Sequence, residues 1–440
     1  MNMSTVRKIH LKIRKIRIPT PMDVFILLIV FLIIIPDGLV NISNTVYNLC
    51  YVYGYYLVLA IIIIFLLIKK KRKYSFFFPK CLFSSFLFLI GTVLITILHG
   101  SGFGNWINFF SILLITFLLT ISQKERLDRL MITFLFVLEF WIYVNFLLMI
   151  IYPSGMYYLE SNNVYQNWIL GYKSSLYYYV LPALCFGWVN KEYRGQNIRF
   201  YFLLAVSTIE TVIVENTMLI VGILLFFVFT FFKIINIKKI CNVKNYFIGI
   251  LLANTIFLFS LTWFVSTDIG EFFFYITGKN ATISRRASII WPITFKYIKE
   301  HPIIGSGMLS STERVEIYNG VKAAIHSHNQ ILEIIFIGGF FLLVLYILMH
   351  ITIGKKLTEN QNLATSKVLS LTVFILYIMM VVEVFTRRIA AGIWLVLFLS
   401  CMCGELHKQL IKRKDCQYFA QESNKYQRKK FSIKFGRNIK

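Results

Sequence analysis

Long apolar runs recur along this chain, and they limit what it can fold into. Stretches of about 18–22 mainly apolar residues follow one another down the chain, each long enough to cross a hydrocarbon layer about 30 Å thick as a helix. The runs are continuous and do not alternate between polar and apolar residues, so they predict helices and not barrel strands. Of the 440 residues, 58% are hydrophobic and 15% are charged. We therefore predict an all-α polytopic membrane protein.

We predict twelve transmembrane helices within one integral membrane domain, residues 1–440. The predicted spans lie approximately at residues 23–40, 50–68, 80–98, 106–122, 129–151, 174–190, 199–214, 217–236, 246–265, 329–350, 366–385 and 388–406. Because the number is even, both termini fall on the same side of the membrane. The first span leads into further spans, so we interpret it as its own insertion signal and not as a cleaved signal peptide.

The basic residues predict which side holds the termini. Most of the 46 Lys and Arg residues lie in segments on the side of the termini, and the other side has Lys173, Lys279, Arg285, Arg286, Lys296, Lys299, Arg314, Lys322, Arg387 and Arg388. The positive-inside rule then places both termini in the cytoplasm, including a basic tail at residues 407–440. The net charge of +26 is therefore mostly a topology signal, and nucleic acid is not an expected partner. Contact with anionic membrane lipid is enough to explain the basic tails.

Two connections on the predicted outer side are longer than the rest. The first, residues 152–175, is rich in Tyr and Trp and contains Lys173. The second, residues 266–328, contains seven of the outer basic residues. Loops of this length in a compact bundle are usually functional or disordered. We therefore expect the second loop to carry the active site.

The second loop contains a helical pattern followed by a break. The stretch SRRASIIWPITFKYIKE has apolar residues near helical spacing, which predicts an amphipathic helix along the outer membrane surface. Lys296, Lys299 and Glu300 would then face water. HPIIGSGM follows, and its Pro302 and paired glycines predict a tight turn that ends the helix.

Two pairs of adjacent arginines lie on the predicted outer side. Arg285 and Arg286 are in the second loop, and Arg387 and Arg388 are in the short turn VFTRRIAA between the last two spans. A guanidinium group binds phosphate through a two-pronged fork and stays charged at any working pH. The pairs therefore predict a site for a lipid-linked diphosphate. Contact with the phosphates of ordinary membrane lipids is the alternative, and it suffices for the scattered lysines.

Two histidines directly precede one of the predicted spans. His326 and His328 occur in IHSHNQILEIIFIGGF, residues 325–340. Imidazole, with an ordinary pKa near 6.5, suits a general base at neutral pH. The alternative for His328 is a histidine that caps the helix or lies at the membrane interface. His99, in the turn HGSGFGNW on the same side, is a further candidate for substrate contact, and His301 is assigned to the turn before Pro302.

Several acidic residues fall within or at the edges of predicted spans. Among them are Glu139, Glu210, Glu333 and Glu383. Ionised groups are costly inside a membrane and usually face an internal cavity or a partner. Glu383 lies one helical turn before Arg387, so we expect these two side chains to pair.

Three motifs occur in a fixed order, namely SRRASIIW, then HPIIGSG, then HSHNQILEIIFIGGF at the start of a span. In this order they resemble the O-antigen ligase and polysaccharide polymerase superfamily, which comprises Wzy-type polymerases and their ligase relatives. In that superfamily the pattern h-P-x-x-G-x-G … H-N-x-x-L-x-x-x-x-x-G-x-x-G lies at the end of the major outer loop. WILGYKSSLYYYVLPAL is also similar to the G-x-K-N segment of capsule polymerases, with Ser174 in place of the Asn.

The resemblance implies a membrane glycosyltransferase of the GT-C type that acts on polyprenyl diphosphate-linked sugars at the outer face of the bacterial cytoplasmic membrane. It implies that His328 is the catalytic base and that Arg285 or Arg286 binds the diphosphate. The remaining candidates for substrate contact are Arg314, Arg387, Arg388, Lys173, His326 and His99. The implied partners are a polyprenyl diphosphate-linked oligosaccharide donor and acceptor, membrane lipid, a chain-length regulator and a flippase.

Departures from the family pattern favour a polymerase over a ligase. Ligases commonly have an S-R-G motif after the seventh span, where this chain has VENTML with Glu215. No cofactor is expected, and the lack of an acidic cluster with metal-ligand spacing on the outer side favours metal-independent transfer. A transporter, such as a lipid-linked oligosaccharide flippase, is the alternative from a different class. Such carriers often show two related halves, whereas here the polar residues are concentrated in one late loop.

Overall fold

The computed structural model describes residues 20–39, 43–71, 79–100, 103–159, 164–231, 242–265, 267–269, 272, 286–320 and 326–414. The first half of this part of the chain contains α1 (Pro21–Ile33), α2 (Asn44–Tyr47), α3 (Gly54–Lys71), α4 (Phe83–Leu98), α5 (Phe103–Ser122), α6 (Leu127–Ile151), β1 (Tyr157–Leu159), β2 (Val164–Asn167), α7 (Tyr177–Arg194) and α8 (Asn197–Ile213). The second half contains α9 (Thr217–Phe231), α10 (Val243–Val265), α11 (Trp291–Glu300), α12 (Ser311–Ile317), α13 (Gln330–Glu359), α14 (Ala364–Met379), α15 (Ala391–Cys401) and α16 (Cys403–Lys414). Short π-helical or 3₁₀ turns are Asn48–Tyr53, Lys80–Leu82, Lys124–Arg126, Lys173–Ser175 and Arg286–Ile290.

Each of the twelve predicted apolar runs overlaps one of these helices. Three helical segments of the described chain, Lys80–Leu98, Lys124–Ile151 and Gln330–Glu359, are long and apolar enough to cross a bilayer. A fourth is added if α15 and α16, which are bent by 90° at their junction, form one span. These apolar helices fit a multi-pass membrane protein.

Short polar motifs define where several helices begin. At α1, the Thr20 side chain accepts a hydrogen bond from the Asp23 N–H, and the Asp23 carboxylate accepts one from the Thr20 N–H, which completes a capping box. Ser310 and Glu313 form the same motif at α12. Asn329 caps α13 by accepting from the Leu332 N–H at 3.0 Å.

The centre of the bundle is built from α7, α13 and α15. Every residue of α15 and residues 177–190 of α7 are buried. Helix α7 packs against α6, α8, α14 and α15, and α13 packs against α4 and α10. A helix that is apolar all round must be surrounded by other helices, which explains this position. Outer helices expose large apolar side chains, such as Leu98, Ile151 and Ile256, that suit contact with lipid.

The predicted helix in the second long loop is confirmed. A π-helical turn at Arg286–Ile290 leads into α11, which ends at Glu300. Lys296, Lys299 and Glu300 are exposed, whereas Trp291 and Thr294 are buried. The side of α11 that carries the predicted charges therefore faces away from the protein.

The glycine-rich turn after α11 packs directly onto a break in α13. The Ser306 N–H donates to the Phe336 carbonyl at 2.8 Å, and the Phe340 N–H donates to the Pro302 carbonyl at 2.8 Å. Gly339 has a φ of +61° and a Cβ there would lie 2.3 Å from the Ile303 carbonyl carbon. Only glycine permits this conformation and this close approach, so Gly339 allows the turn to pack directly on α13.

The first long loop contains a feature that an all-α prediction does not include. Strands β1 and β2 pair antiparallel, with Tyr157 opposite Asn167. The loop then folds back onto the bundle, because the Trp168 indole donates to the Tyr152 carbonyl at 2.8 Å and Trp168 is 1% exposed. The Leu170 N–H donates to the Asn145 side chain on α6 at 3.1 Å.

Candidate functional site

A non-helical segment, residues 380–386, joins α14 to α15 and lies against the start of α13. The Gln330 N–H donates to the Met380 carbonyl at 2.9 Å, and the Gln330 side chain accepts from the Phe385 N–H. The Asn329 amide donates to the Val381 carbonyl at 2.8 Å. The Asn-Gln pair that follows His328 in sequence therefore holds this connecting segment in place.

The same segment is held from two other directions. Arg286, at the start of the π-helical turn, donates to the Val382 carbonyl at 3.1 Å. Tyr177 and Tyr178, at the start of α7, both donate to the Val384 carbonyl, Tyr177 at 3.1 Å. Parts of the chain that are far apart in sequence thus meet at one end of the bundle, the end that the sequence predicts to be outside.

Charged side chains of opposite sign meet at this segment. Arg387 pairs with Asp37, which follows α1, with 3.5 Å between Nη2 and Oδ2. Glu383 is 9% exposed and interacts electrostatically with Arg286 and Arg387. Burial raises the pKa of Glu383 to about 7, although the two guanidinium groups oppose the rise.

The expected pair between Glu383 and Arg387 therefore needs correction. Arg387 forms its ion pair with Asp37, and within the described part of the chain the Glu383 carboxylate has no ion pair of its own. The reason is that α14 ends at Met379, four residues before Glu383. Without a helix across residues 383–387, the side chains do not stack one turn apart.

The two histidines lie together beside these arginines. Their ring centroids are 4.1 Å apart, and the His328 backbone N–H donates to His326 Nδ1 at 3.2 Å. His326 is 8% exposed, and its pKa is well below the ordinary value because of burial and of the positive charges of Arg387, Arg286 and Arg314. His326 is therefore neutral. Since Nδ1 accepts a hydrogen bond, the proton of the neutral ring lies on Nε2.

His328 is partly exposed and has a φ of +54°, in the left-handed region. A histidine in this conformation is uncommon and needs support from its surroundings. It does not cap α13, because the neighbouring Asn329 does so. The chain therefore holds the His328 side chain at the start of α13 without using it for the helix itself.

A buried ion pair holds in place the histidine segment, residues 326–328. Arg314 and Glu333 are both 0% exposed, with 2.5 Å between Nη1 and Oε1. The other Glu333 oxygen accepts from the Ser327 N–H at 2.9 Å, and the Trp291 indole donates to the Ser327 carbonyl at 2.9 Å. Ser327 Oγ in turn donates to the Asn329 carbonyl at 2.9 Å. The structure thus places the predicted substrate contact Arg314 in the interior, where it fixes the residues around His328.

His99 is placed at the glycine-rich turn and not beside the other histidines. Its Nδ1 lies 2.9 Å from the Ile95 carbonyl and its Nε2 lies 2.9 Å from the Gly305 carbonyl. A Cβ at Gly307 would lie 2.8 Å from the His99 ring. The geometry gives His99 the task of supporting the turn that packs on α13.

Lys173 and its neighbour Tyr172 have different contacts in the described structure. The Lys173 side chain is exposed, and its carbonyl accepts from the Asn216 amide at 2.6 Å. The adjacent Tyr172 interacts electrostatically with Arg286 and Glu383. The first long loop therefore reaches the cluster through a phenol.

The remaining arginines are placed as follows. Arg388 is partly buried in the same turn as Arg387. Arg285 lies outside the described residues, so only Arg286 of the first pair can be located. Arg286, Arg387, His326 and His328 are thus the predicted residues that the structure brings together with Glu383.

The acids inside the other helices have partners of their own. Glu139 on α6 accepts from Arg199 Nε on α8 at 2.8 Å. Glu210 on α8 is fully buried and accepts from the Asn145 amide on α6 at 3.0 Å. These pairs join α6 to α8, and neither contacts the histidine segment in the residues that can be described.

Sequence reasoning missed several members of the cluster. One is Asp37, an acid inside the first predicted span, in IIIPDGLV, where an ionisable residue signals a partner or a cavity. Tyr177 and Tyr178 belong to the run YYYV, which looks like an ordinary interfacial belt of aromatic residues. Their contact with Val384 joins residues more than 200 positions apart, and nothing local in the sequence signals it.

Two other features of the described residues concern possible metal sites and clefts. No group of three or more His, Cys, Asp or Glu side chains in that part of the chain is arranged to hold a metal ion. An apolar cleft of about 600 Å³ lies between α8 and α9 and is lined by Tyr201, Leu204, Ala205, Thr208, Ile209 and Phe227. None of these residues belongs to the cluster around His328.

Most of this site lies in a segment that matches a known protein family. No curated protein matches the chain. Residues 173–347 match the O-antigen ligase family, Wzy_C. The match runs from Lys173 into α13 and includes Arg286, His326 and His328, whereas Glu383 and Arg387 lie beyond it. On this match, the segment 173–347 belongs to the Wzy/O-antigen ligase superfamily.

Proposed function

We propose that the protein polymerises lipid-linked oligosaccharide repeat units into a surface polysaccharide. It transfers the growing glycan from its polyprenyl diphosphate to an incoming lipid-linked unit at the outer face of the cytoplasmic membrane. The family indicates an O-antigen ligase or polymerase type of membrane function. The observation that carries the finer proposal is the meeting of His326 and His328 with Arg286 and Arg387. The helical bundle would then be of the GT-C glycosyltransferase type.

The reaction needs a base and fixed positive charge. An oxygen of the acceptor sugar forms a bond to the anomeric carbon of the donor, and the bond from that carbon to the diphosphate oxygen breaks. The electron pair of that bond leaves with the diphosphate. Arg286 and Arg387 bind the diphosphate, and preorganised cations in a partly dry site contribute several kcal/mol of transition-state stabilisation. His328 takes the proton of the acceptor hydroxyl.

The structure supports His328 over His326 as that base. His326 Nδ1 already accepts a hydrogen bond from the His328 backbone, and its Nε2 carries the proton of the neutral ring. His326 can therefore donate a hydrogen bond to an oxygen of the substrate, but it has no free lone pair for a proton. His328 is also more exposed than His326, so a substrate reaches it more easily.

Polymerase is favoured over ligase by the turn between α8 and α9. Glu215 occupies that turn with a φ of +54°, at the place where ligases commonly have an arginine. Asn216 then ties the turn to the first long loop through the Lys173 carbonyl. The acidic residue makes the turn a poor site for a diphosphate, so the positive charge of this chain is gathered elsewhere, at Arg286 and Arg387.

The proposal is tested with His328→Ala and a matched control, His301→Ala. His301 is an exposed histidine on the same loop, at the end of α11. In cells that lack the native protein, both variants should reach the membrane in normal amount. His301→Ala should restore long polysaccharide, whereas His328→Ala should leave single repeat units exposed outside. If His328→Ala still produced long polysaccharide chains, His328 would not be the base.

The same experiment separates the alternatives. Repeat units trapped inside the cell in the absence of the protein would indicate a transporter. Normal polymer that is made but not attached to its final acceptor would indicate a ligase. Arg286→Ala combined with Arg387→Ala should also yield single units only, and normal polymer from that variant would count against the diphosphate site.

A further inference from the structure

Glu383 is a buried acid whose charge the proposed chemistry leaves unexplained. Its side chain is 9% exposed and lies outside the helices, between the ends of α14 and α15. It interacts electrostatically with Arg286 and Arg387. Within the described residues, however, the carboxylate forms no ion pair and no hydrogen bond with either arginine, whose contacts go to Val382 and Asp37. Glu383 therefore interacts electrostatically with both guanidinium groups, and the described residues show no ion pair between it and either of them.

The charges around Glu383 balance when the site is empty. Among the described residues, the ionisable groups that interact with it are Arg286 from the π-helical turn, Arg387 from its own segment, and the phenols of Tyr172, Tyr177 and Tyr178 from the first loop and α7. Asp37 pairs with Arg387. Two guanidinium groups thus face two carboxylates, and these four groups sum to zero while Glu383 is ionised. A negatively charged diphosphate would gain no net attraction from them.

We infer that Glu383 is the exchangeable counter-ion of the substrate site: above neutral pH it is ionised when the site is empty, and it becomes protonated when a lipid-linked diphosphate occupies Arg286 and Arg387. Each binding event then adds one proton from the solvent to a Glu383 oxygen, and each release returns it. No other bond changes. The inference rests on the proposed function, because it requires a diphosphate at these two arginines.

The pKa of Glu383 determines the direction in which the affinity for the diphosphate changes with pH. Burial raises it to about 7, so at neutral pH the free protein has about half of its Glu383 in each form. A diphosphate nearby raises the pKa further, because like charges disfavour ionisation. The bound state is therefore protonated. Above pH 7 the free state must take up a proton to bind, and affinity falls by up to about tenfold for each further pH unit.

Binding of farnesyl diphosphate to the purified full chain in lipid nanodiscs tests the inference. Calorimetry is run from pH 6.5 to 8.5 in two buffers with different heats of ionisation, which counts the protons taken up. The variant is Glu383→Gln, and the matched control is Glu316→Gln, an exposed acid on α12. Because the diphosphate titrates too, every comparison is between wild type and variant under the same conditions.

Wild type and Glu316→Gln should take up close to one proton more than Glu383→Gln at pH 8. Between pH 7.5 and 8.5, their affinity for farnesyl diphosphate should fall by up to about tenfold more than that of Glu383→Gln. Glu383→Gln should bind at least as tightly as wild type at pH 8.5. Farnesol, which has no diphosphate, should cause no proton uptake in any of the three proteins.

Equal proton uptake and equal pH profiles in wild type and Glu383→Gln would overturn the inference, as would uptake with farnesol. Should Glu383→Gln fail to fold, infrared difference spectra of the wild type decide instead. A new carboxylic acid carbonyl band on addition of farnesyl diphosphate at pH 8 supports the inference, and its absence overturns it. Failure of the proposed function looks different, because wild type would then bind no diphosphate, or Arg286→Gln with Arg387→Gln would bind it normally.

Discussion

The buried pair of Arg314 and Glu333 gives the sharpest prediction about stability. Both side chains are 0% exposed, and Nη1 lies 2.5 Å from Oε1. Replacing one member leaves the other as a buried charge without its ion-pair partner, which typically costs about 3–5 kcal/mol. We expect Arg314→Met and Glu333→Gln each to lower the free energy of unfolding by that amount.

The double variant should lose less free energy of unfolding than the two single variants lose in sum. With both changes no unpaired charge remains, and the glutamine oxygen can still accept from the Ser327 N–H that Glu333 now holds at 2.9 Å. We expect the double variant to lose about 1–2 kcal/mol, the order of one or two hydrogen bonds. The coupling energy between the two sites should then exceed about 2 kcal/mol.

Denaturant unfolding of the purified protein in mild detergent measures these values. The control cycle is Lys356→Met and Glu359→Gln at the other end of α13, where an ion pair of 2.7 Å is 35% and 43% exposed. Its coupling should stay within about 0.5 kcal/mol, as is typical of exposed pairs. Single variants at Arg314 and Glu333 that cost less than about 1 kcal/mol, or strict additivity, would refute the reasoning.

Three further predictions concern the turn, the arginines and metals. Gly339→Ala should lower the midpoint of thermal unfolding sharply, because its Cβ would lie 2.3 Å from Ile303, whereas Gly249→Ala, with open space around it, should not; equal midpoints would contradict this. Asp37→Asn should tighten farnesyl diphosphate binding by freeing Arg387, at a stability cost within about 1 kcal/mol because the pair is long, at 3.5 Å, and each side chain is about a quarter exposed; weaker binding would count against this. Purified protein should polymerise lipid-linked units in EDTA, and activity that returns only with magnesium would disprove metal-independent transfer.

Much of the scaffold could be predicted from local sequence. The apolar runs located the helices, and the helical spacing of SRRASIIWPITFKYIKE located the turn at Arg286–Ile290 and α11. The break after Glu300 followed from Pro302 and the glycines. These features depend on residues a few positions apart, so the local sequence is enough to predict them. Strands β1 and β2 were missed because three or four residues of loop carry almost no periodic signal.

The charge partners could not be predicted in the same way. Arg314 pairs with Glu333 only because α12 packs beneath the start of α13, and Arg387 meets Asp37 across 350 positions of sequence. The expected pair of Glu383 with Arg387 assumed a continuous helix through residue 385. The break at Met379 removed that geometry and turned Glu383 towards two arginines at once. Such contacts follow from packing, which one sequence does not reveal.

In the proposed mechanism, the arginines bind the diphosphate while His328 takes the proton. Single-turnover transfer by the purified protein, with a labelled lipid-linked repeat unit as donor, tests it most directly. His328→Ala should bind farnesyl diphosphate as tightly as wild type but transfer sugar about 10²–10⁴-fold more slowly, the usual effect of losing a general base. Transfer by His328→Ala at the wild-type rate, with the donor fully bound, would contradict the account.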